Sequence, residues 1–322
     1  MDAVVLAGGY ATRLWPITKD RPKMLLPVGD STVIDRMFAE LEADDRIDSV
    51  YVSTNERFAG TFEEHLAASP YEKPRISVEK TVDEGEKFGV VGALEQLIDR
   101  EEISDDLLVI AGDNLISFGT DEFVDFFYQQ EVPTIAAYDV GSRERATSYG
   151  VVELDGDRVV SFREKPDDPE STLVSIACYA FPASALDLIG EYLADDNNPD
   201  EPGWFIQWLQ NRGTVRAFDF DGAWFDIGTA ESYLETVAWT LDGGTMVDDD
   251  AIVRDSDLGR SVQILGGAEV RNTTLRDSVV FPGATIVDCD LRDSIVDEEA
   301  HVEGLDRSGA LVGAHTQLPG RE

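Results

Sequence analysis

An apolar run, Asp2–Ala7, leads without a break into Gly8-Gly9-Tyr10-Ala11-Thr12-Arg13-Leu14-Trp15-Pro16, and soon after into Arg21-Pro22-Lys23-Met24-Leu25-Leu26-Pro27-Val28. A β-rich run that stops at paired glycines puts a turn at the carboxyl end of a strand, where α/β sheets bind their ligands. Glycines allow positive φ and let backbone N–H groups approach an anion. Arg13 offers a planar fork of donors to a di- or triphosphate, and Lys23 adds a point charge. Gly8, Gly9, Thr12, Arg13 and Lys23 are therefore candidates for binding nucleotide phosphates.

Further strand-like runs follow at Ser49–Ser53, Arg75–Val78 and Leu107–Ala111, with amphipathic helical patterns at Ser31–Ala43, Arg57–Ala68 and Val90–Arg100. This alternation implies parallel strands joined by crossover helices, a doubly wound, mostly parallel, Rossmann-like α/β sheet. Past residue 132 the pattern turns to strands at Thr134–Asp139, Gly150–Leu154, Arg158–Phe162 and Leu173–Phe181, with a hairpin turn at Asp155-Gly156-Asp157. Helices are expected near Ala183–Leu193, Trp204–Asn211 and Ala230–Leu241. Gly243-Gly244 ends the last of them, which sets a catalytic domain at 1–243. From 244 to 322 the period changes. Ile252, Leu258, Ile264 and Val270 recur every six residues, the frame slips, and Leu275, Phe281 and Val287 continue it; Arg-Asp-Ser recurs at 254, 276 and 292. Such a hexapeptide period predicts a short left-handed parallel β-helix of about four 18-residue coils.

Acidic residues are spread along the whole chain, giving a formal net charge of −39 over 322 residues with only six lysines. That argues against nucleic acid as a partner, because phosphate backbones need a basic face. It suits a salt-accumulating cell, whose ions screen the self-repulsion. No apolar run reaches the ~18 residues of a membrane span, and the first residues lack a basic leader, so a soluble cytoplasmic protein is expected. Cys178, Cys289 and the three histidines show no zinc-ligand spacing.

Two carboxylates stand in suggestive places. Asp113 follows the buried run Leu107–Ala111, and Asp226 precedes Gly228-Thr229 and a helix start. Either could be a turn or helix cap, or could hold Mg²⁺ against phosphate oxygens. The string from Gly8 to Val28 resembles the opening motif of the sugar-phosphate nucleotidylyltransferases almost throughout; Ala11 stands where that family has Gly. The resemblance covers about 1–240 and implies a fold and a set of roles. It makes Asp113 and Asp226 the Mg²⁺ ligands. Tyr149-Gly150 and Phe162-Arg-Glu164-Lys165-Pro resemble the sugar site, so Glu164 would accept from sugar hydroxyls, Lys165 would hold the sugar phosphate and Gly150 would offer backbone. Glu79 and Gly89, in Val78-Glu79 and Phe88-Gly89, would meet the nucleobase; as a residue alone, Glu79 is equally readable as a surface acid. Cys178 stands where relatives often have Gly.

The implied activity joins a nucleoside triphosphate to a sugar 1-phosphate, releasing pyrophosphate. The catalytic set would be Arg13, Lys23, Asp113 and Lys165. Glucose 1-phosphate with dTTP or UTP is the leading pair, and mannose 1-phosphate with GTP the second. Two other readings remain open: a non-catalytic regulatory or scaffold member of the fold, and a bifunctional enzyme whose β-helix transfers an acyl group with His301 or His315 as base. A homo-oligomer is expected.

Overall fold

The computed structural model describes residues 1–79 and 89–320. The chain forms two compact units, one of Met1–Gly9 with Arg36–Trp224, the other of Tyr10–Asp35 with Phe225–Glu322.

The first unit is built on a nine-stranded sheet. Its strands, in chain order, are β1 Asp2–Leu6, β2 Ser49–Asn55, β3 Pro74–Glu79, β4 Leu107–Ala111, β5 Thr134–Asp139, β6 Gly150–Asp155, β7 Arg158–Glu164, β8 Leu173–Phe181 and β9 Arg216–Asp219. The spatial order is β3-β2-β1-β4-β8-β5-β9-β7-β6. The pairs β3–β2, β2–β1, β1–β4 and β5–β9 are parallel; β8 and β7 run antiparallel to their neighbours. Strands buried on both faces read as continuous apolar runs, and β1 and β4 do so: Val4, Val5, Leu107, Leu108 and Ile110 are fully buried. Each such side chain contributes about 2 kcal/mol by leaving water. The hairpin at 155–157 forms as expected, with Gly156 at φ 63° and Arg158 opposite Asp155.

Among the elements that escaped the sequence reading are a helix and a strand that pack together. The helix Thr120–Gln130 buries Phe123, Val124 and Phe127, and its dense aromatic run masks a helical period. It packs Phe123 against Phe118 and against Phe218 of β9. That strand is only four residues long, too short for a recognisable alternation.

In the second unit, residues 245–318 form three parallel ladders that the chain visits in turn. One contains Thr245–Val247, Val262–Ile264, Ser278–Val280, Ile295–Val296 and Leu311–Val312; the second runs from Ile252–Arg254 to Gln317–Leu318; the third from Asp257–Leu258 to Asp306–Ser308. Partners such as Val270 and Ile286, or Leu275 and Leu291, stand one coil apart, and each coil is about sixteen or seventeen residues long, shorter than the expected eighteen. Two corners of each coil are tight, because Asn272, Asp277, Asp288 and Asp293 adopt left-handed φ between 45° and 54°, a conformation Asn and Asp tolerate. The apolar frame therefore slips by one residue at each tight corner. Val280 and Ile286, rather than the expected Phe281 and Val287, line the interior with Val270, Leu275, Leu291 and Val296, and Val253, rather than the expected Ile252, stands in register with Val270. The Arg-Asp-Ser repeats are these corners: Ser278 and Ser294 donate back to Arg276 and Arg292 carbonyls at 2.6 Å, and the Ser278 hydroxyl accepts from Ser294 N–H of the next coil at 3.2 Å. His301 lies in a ladder between Thr285 and Gln317, and His315 occupies a corner at φ 58°.

Exposed acids at the density of this chain repel one another, and salt screens that repulsion. The thermal midpoint is expected to rise steeply between about 0.1 M and about 2 M KCl. A midpoint that stays flat or falls would contradict a halophilic fold.

Candidate functional site

β1 ends at Leu6, and Ala7 N–H donates to Ser53 O at 2.7 Å, so Gly8 and Gly9 leave the sheet at its carboxyl edge. Asn55, at the end of β2, donates from Nδ2 to Gly8 O at 2.9 Å. Glu79, at the end of β3, lies against Gly8: a Cβ there would stand 3.2 Å from its Oε1. Ser53 donates to the same Oε1 at 2.9 Å. Glu79 is thus held at the glycine turn rather than waving as a surface acid, and one of its oxygens is already engaged.

Gly89 caps the helix Val90–Arg100 at φ 75°, and a Cβ there would meet Pro199 O at 2.3 Å. The N–H groups of Val90 and Val91 donate to Asp200 O and Pro199 O at 3.4 and 2.9 Å. The donors at this helix start are therefore taken by the chain itself. Phe88 of the same stretch, with Lys80 and Lys87, lies outside the described residues.

The turn after β4 carries Asp113. Gly112 N–H donates to Leu6 O at 2.9 Å, which fixes this turn beside the end of β1; Asp113 is half-buried. Its neighbour Asn114 and, further along, Trp224 are functional candidates that motif reading passed over. Asn114 Nδ2 and Trp224 Nε1 are buried donors with no hydrogen-bond partner among the described residues. Such groups are costly unless a ligand or water completes them. The segments bearing them are tied by Ser117 N–H to Ala223 O at 3.0 Å.

The expected sugar residues meet at one place in the first unit. β7 ends at Glu164 directly opposite Gly150 of β6. A Cβ on Gly150 would stand 2.8 Å from Glu164 Oε2, and one on Gly203 only 1.6 Å from it. A side chain at Gly203 would displace this carboxyl, and one at Gly150 would also meet the Phe162 ring. Gln207 Oε1 accepts from Glu164 N–H at 3.1 Å. Burial pushes the Glu164 carboxyl up to about 7, against the pull of the Lys165 ammonium and with a further push from Glu201. Lys165 takes left-handed φ at 44°, its N–H donates to Tyr149 O at 3.1 Å, and its Nζ pairs with Glu201. Tyr149 in turn packs edge-on against Trp224, 5.0 Å between centroids. Glu201, Gly203 and Gln207 come from a helix start some forty residues on, and no local motif marks them. Cys178 pairs with Ile110 inside the sheet and is buried, which pushes its thiol up.

In the second unit, Ala11 sits at φ 48° and opens the short helix Thr12–Leu14, on which Thr12 and Arg13 are exposed. The loop therefore keeps a left-handed residue where the resemblance has glycine, at about 1–2 kcal/mol of strain for an L-residue. Ala11 O recovers some of this by accepting from Thr18 Oγ1 at 2.8 Å and Leu14 N–H at 3.0 Å. Lys23 opens the short helix Lys23–Leu25 and its Nζ stands 4.0 Å from Asp226 Oδ1. Asp226 ends the strand Trp224–Asp226, and Thr229 caps the helix Ala230–Thr240 in a reciprocal box with Ser232. Asp226 is thus outside the cap, its carboxylate about a third exposed.

Among the described residues no group of three or more His, Cys, Asp or Glu could hold a metal ion by itself, and no helix is long and apolar enough to cross a membrane. Mg²⁺ is commonly held by one or two carboxylates, with substrate phosphates and water completing its shell. Asp113, half-buried in the first unit, and Asp226, about a third exposed in the second, each offer hard oxygen donors of that kind.

The nucleotidyl transferase family model matches residues 2–243. A candidate mannose-1-phosphate guanyltransferase of Sulfolobus acidocaldarius is 30% identical, over 73% of this chain and 61% of its own length. The bifunctional protein GlmU of Methanocaldococcus jannaschii is 27% identical over 75% of this chain and 55% of its own. A glucose-1-phosphate thymidylyltransferase of Streptomyces griseus is 28% identical over 87% and 77%. A crystal structure from Bacillus anthracis, described as a candidate glucose-1-phosphate thymidylyltransferase with sucrose, superposes with a TM-score of 0.66 at 26% identity, covering 75% of this chain and 96% of that one. The chain spans between about half and three-fifths of the length of the first two of these curated relatives. With its family model covering three-quarters of the sequence, the chain belongs to the nucleotidyl transferase family.

Proposed function

We propose that the chain is a sugar-1-phosphate nucleotidylyltransferase. The observation that carries this reading is the Glu164 carboxyl, laid across the α-carbons of Gly150 and Gly203 beside Lys165. A buried acceptor needs donors, and sugar hydroxyls supply them, while Lys165 suits the phosphate on the same sugar. Glucose 1-phosphate with dTTP or UTP is the favoured pair. Relatives named for thymidylyl, guanylyl and adenylyl transfer keep mannose 1-phosphate with GTP as the second. We also infer that the domain boundary lies at 243, where the family match ends, and that the coil is left-handed, as expected from its hexapeptide-like apolar period.

The reaction is an in-line attack by a sugar-phosphate oxygen on the α-phosphorus. One P–O bond forms, the bond to the β-phosphate oxygen breaks, and pyrophosphate leaves with that electron pair. The nucleophile is already ionised at neutral pH, since its second pKa is near ~6, so no general base is required. Two anions must instead be brought together and their charge neutralised. Arg13 holds the departing pyrophosphate, Lys23 the α-phosphate side and Lys165 the incoming phosphate. Gly8, Gly9 and Thr12 present backbone and hydroxyl donors to the triphosphate, and Glu79 and Gly89 flank the base. Asp113 and Asp226 would hold Mg²⁺, which when bound neutralises phosphate oxygens. The direct test is a phosphorus NMR spectrum of the product: a sugar diphosphate ester and pyrophosphate should appear in equal amounts.

A pH dependence follows from Glu164. Its folded pKa, about 7, is raised above the ordinary glutamate value, so the native state binds more protons than the unfolded chain between these two values. Stability therefore falls as pH rises through that window and levels off above about 7. Substrate use runs the other way, because the ionised carboxylate accepts with both oxygens and more strongly than the protonated acid. The KM for sugar 1-phosphate should rise as pH drops from about 8 to about 6, with Lys165 and Glu201 facing the same group. Glu164→Gln should flatten that rise and gain about 1–2 kcal/mol of stability at pH 8. An unchanged KM profile in the variant would remove Glu164 from the sugar site.

A further inference from the structure

The three faces of the coil are not alike. On two of them, strands such as Glu269–Arg271 and Asp290–Arg292 bury only their central, inward residue. On the third, Val262–Ile264 and Ser278–Val280 are buried at every position. Val262, Ile264, Val280 and Val296 point into the core, so the alternate residues Gln263, Val279 and Ile295 point outward. Yet each of these three has 0% exposure.

What covers this face, within the same unit, is the segment that carries the phosphate-loop cations. Pro16 packs on Gly313, where a Cβ would stand 2.9 Å from the proline Cβ. The Arg21 guanidinium lies 5.0 Å from the Phe281 ring centroid and reaches Asp297 Oδ1 at 2.9 Å and Glu298 Oε1 at 3.2 Å. Gly29 is gripped from both sides of one amide: its N–H donates to Gln263 Oε1 at 3.0 Å, and Gln263 Nε2 donates to its carbonyl at 3.1 Å. Tyr233 OH adds a bond to Pro27 O at 2.7 Å. The anchors at Arg21 and Gly29 bracket Lys23, and the anchor at Pro16 follows Arg13.

We infer that Gln263 and Asp297 are positioning residues for nucleotide phosphates, and that the coil braces the segment bearing Arg13 and Lys23. This rests on the functional reading above and deepens it: the coil is part of the nucleotide end of the reaction. Gln263 is chemically suited to this task. A buried side-chain amide offers one donor and one acceptor in fixed geometry, which matches a single backbone residue and defines its register. An apolar residue at 263 would leave both polar groups of Gly29 unmatched in a buried place. Asp297 is nearly fully buried, and Arg21 is its ion-pair partner, so neutralising it leaves the guanidinium, two residues from Lys23, to the more exposed Glu298 carboxylate and loosens its seat.

The test compares the full-length protein with Gln263→Leu and Asp297→Asn, and uses inorganic pyrophosphate with Mg²⁺ as a probe that needs no knowledge of the base. Calorimetric titration should show pyrophosphate binding weakened about 10-fold in Gln263→Leu and several-fold in Asp297→Asn. In turnover, KM for the triphosphate should rise about 10-fold while KM for sugar 1-phosphate moves less than about 2-fold. Gln263→Glu, which keeps the acceptor for Gly29 N–H, should recover part of the loss. Arg276→Gln, on an exposed face of the coil, should behave as the parent. Unchanged pyrophosphate binding in a folded variant, or equal losses toward both substrates, would overturn the inference; if Gln263→Leu fails to fold, Asp297→Asn decides. Absence of turnover in the parent with every substrate pair would sink the functional reading instead, and the pyrophosphate titration would still read the brace.

Discussion

Replacing Asp113 or Asp226 with Asn should cut turnover by ~100-fold or more, because each change removes one full charge from the electrostatic stabilisation of a phosphoryl-transfer transition state. Size and hydrogen-bonding capacity are nearly kept, so folding should be little affected. Asp226 offers an additional signature. Its carboxylate stands 4.0 Å from the Lys23 ammonium, so Asp226→Asn also leaves Lys23 less neutralised and should raise the Mg²⁺ requirement as well as lower the rate. Asp113→Asn should likewise raise that requirement. Near-parental rates in both variants at limiting Mg²⁺ would refute their role as the metal ligands.

The second large effect separates the two ends of the reaction. Arg13→Ala should weaken use of the triphosphate, and Lys165→Ala use of the sugar 1-phosphate. Each should lose ~2–4 kcal/mol in kcat/KM for the matching substrate, since a phosphate charge is left unpaired in a partly dry site. The structure adds a reason to expect a clean result at Lys165. Its partner Glu201 and Lys165 itself are both about two-fifths exposed, so breaking the pair strands no buried charge. Calorimetric titration of the triphosphate keeps binding apart from turnover. Loss of triphosphate binding in Lys165→Ala, with the sugar-phosphate KM unchanged, would dissolve the sugar-site assignment while leaving the phosphate loop intact.

The elements that could be read in the sequence share a physical cause. β1, β4 and β8 are buried runs whose apolar content is dictated by the sheet, and the glycine-to-lysine string is contiguous, so its chemistry is visible at once. Glu164 and Lys165 are singled out in the sequence by the resemblance of Phe162–Pro166 to a sugar-site motif, and the structure sets Glu164 opposite Gly150. Glu201, Gly203 and Gln207 meet Lys165 and Glu164 from a distant helix start, and nothing in their local pattern distinguishes them from a capped surface helix. Asn114 and Trp224 gain meaning only from having buried donors without partners, a property of packing rather than of spacing. In the coil, a strict six-residue period fails from its first turn, where Val253 rather than Ile252 stands in register with Val270, because corners formed by Asp and Asn in left-handed geometry shorten the sides. Gln263 would read as a polar interruption of an apolar ladder; only its 0% exposure and its two bonds to Gly29 show what it does.

The proposed reaction is tested most directly by incubating the protein with each of four or so nucleoside triphosphates against a panel of sugar 1-phosphates, in about molar KCl with Mg²⁺, and recording pyrophosphate release. A transferase of this kind should release pyrophosphate only when both substrates are present, with a clear preference for one pair and with glucose 1-phosphate and dTTP or UTP foremost. Pyrophosphate release without any sugar phosphate, or none with any pair, would contradict it.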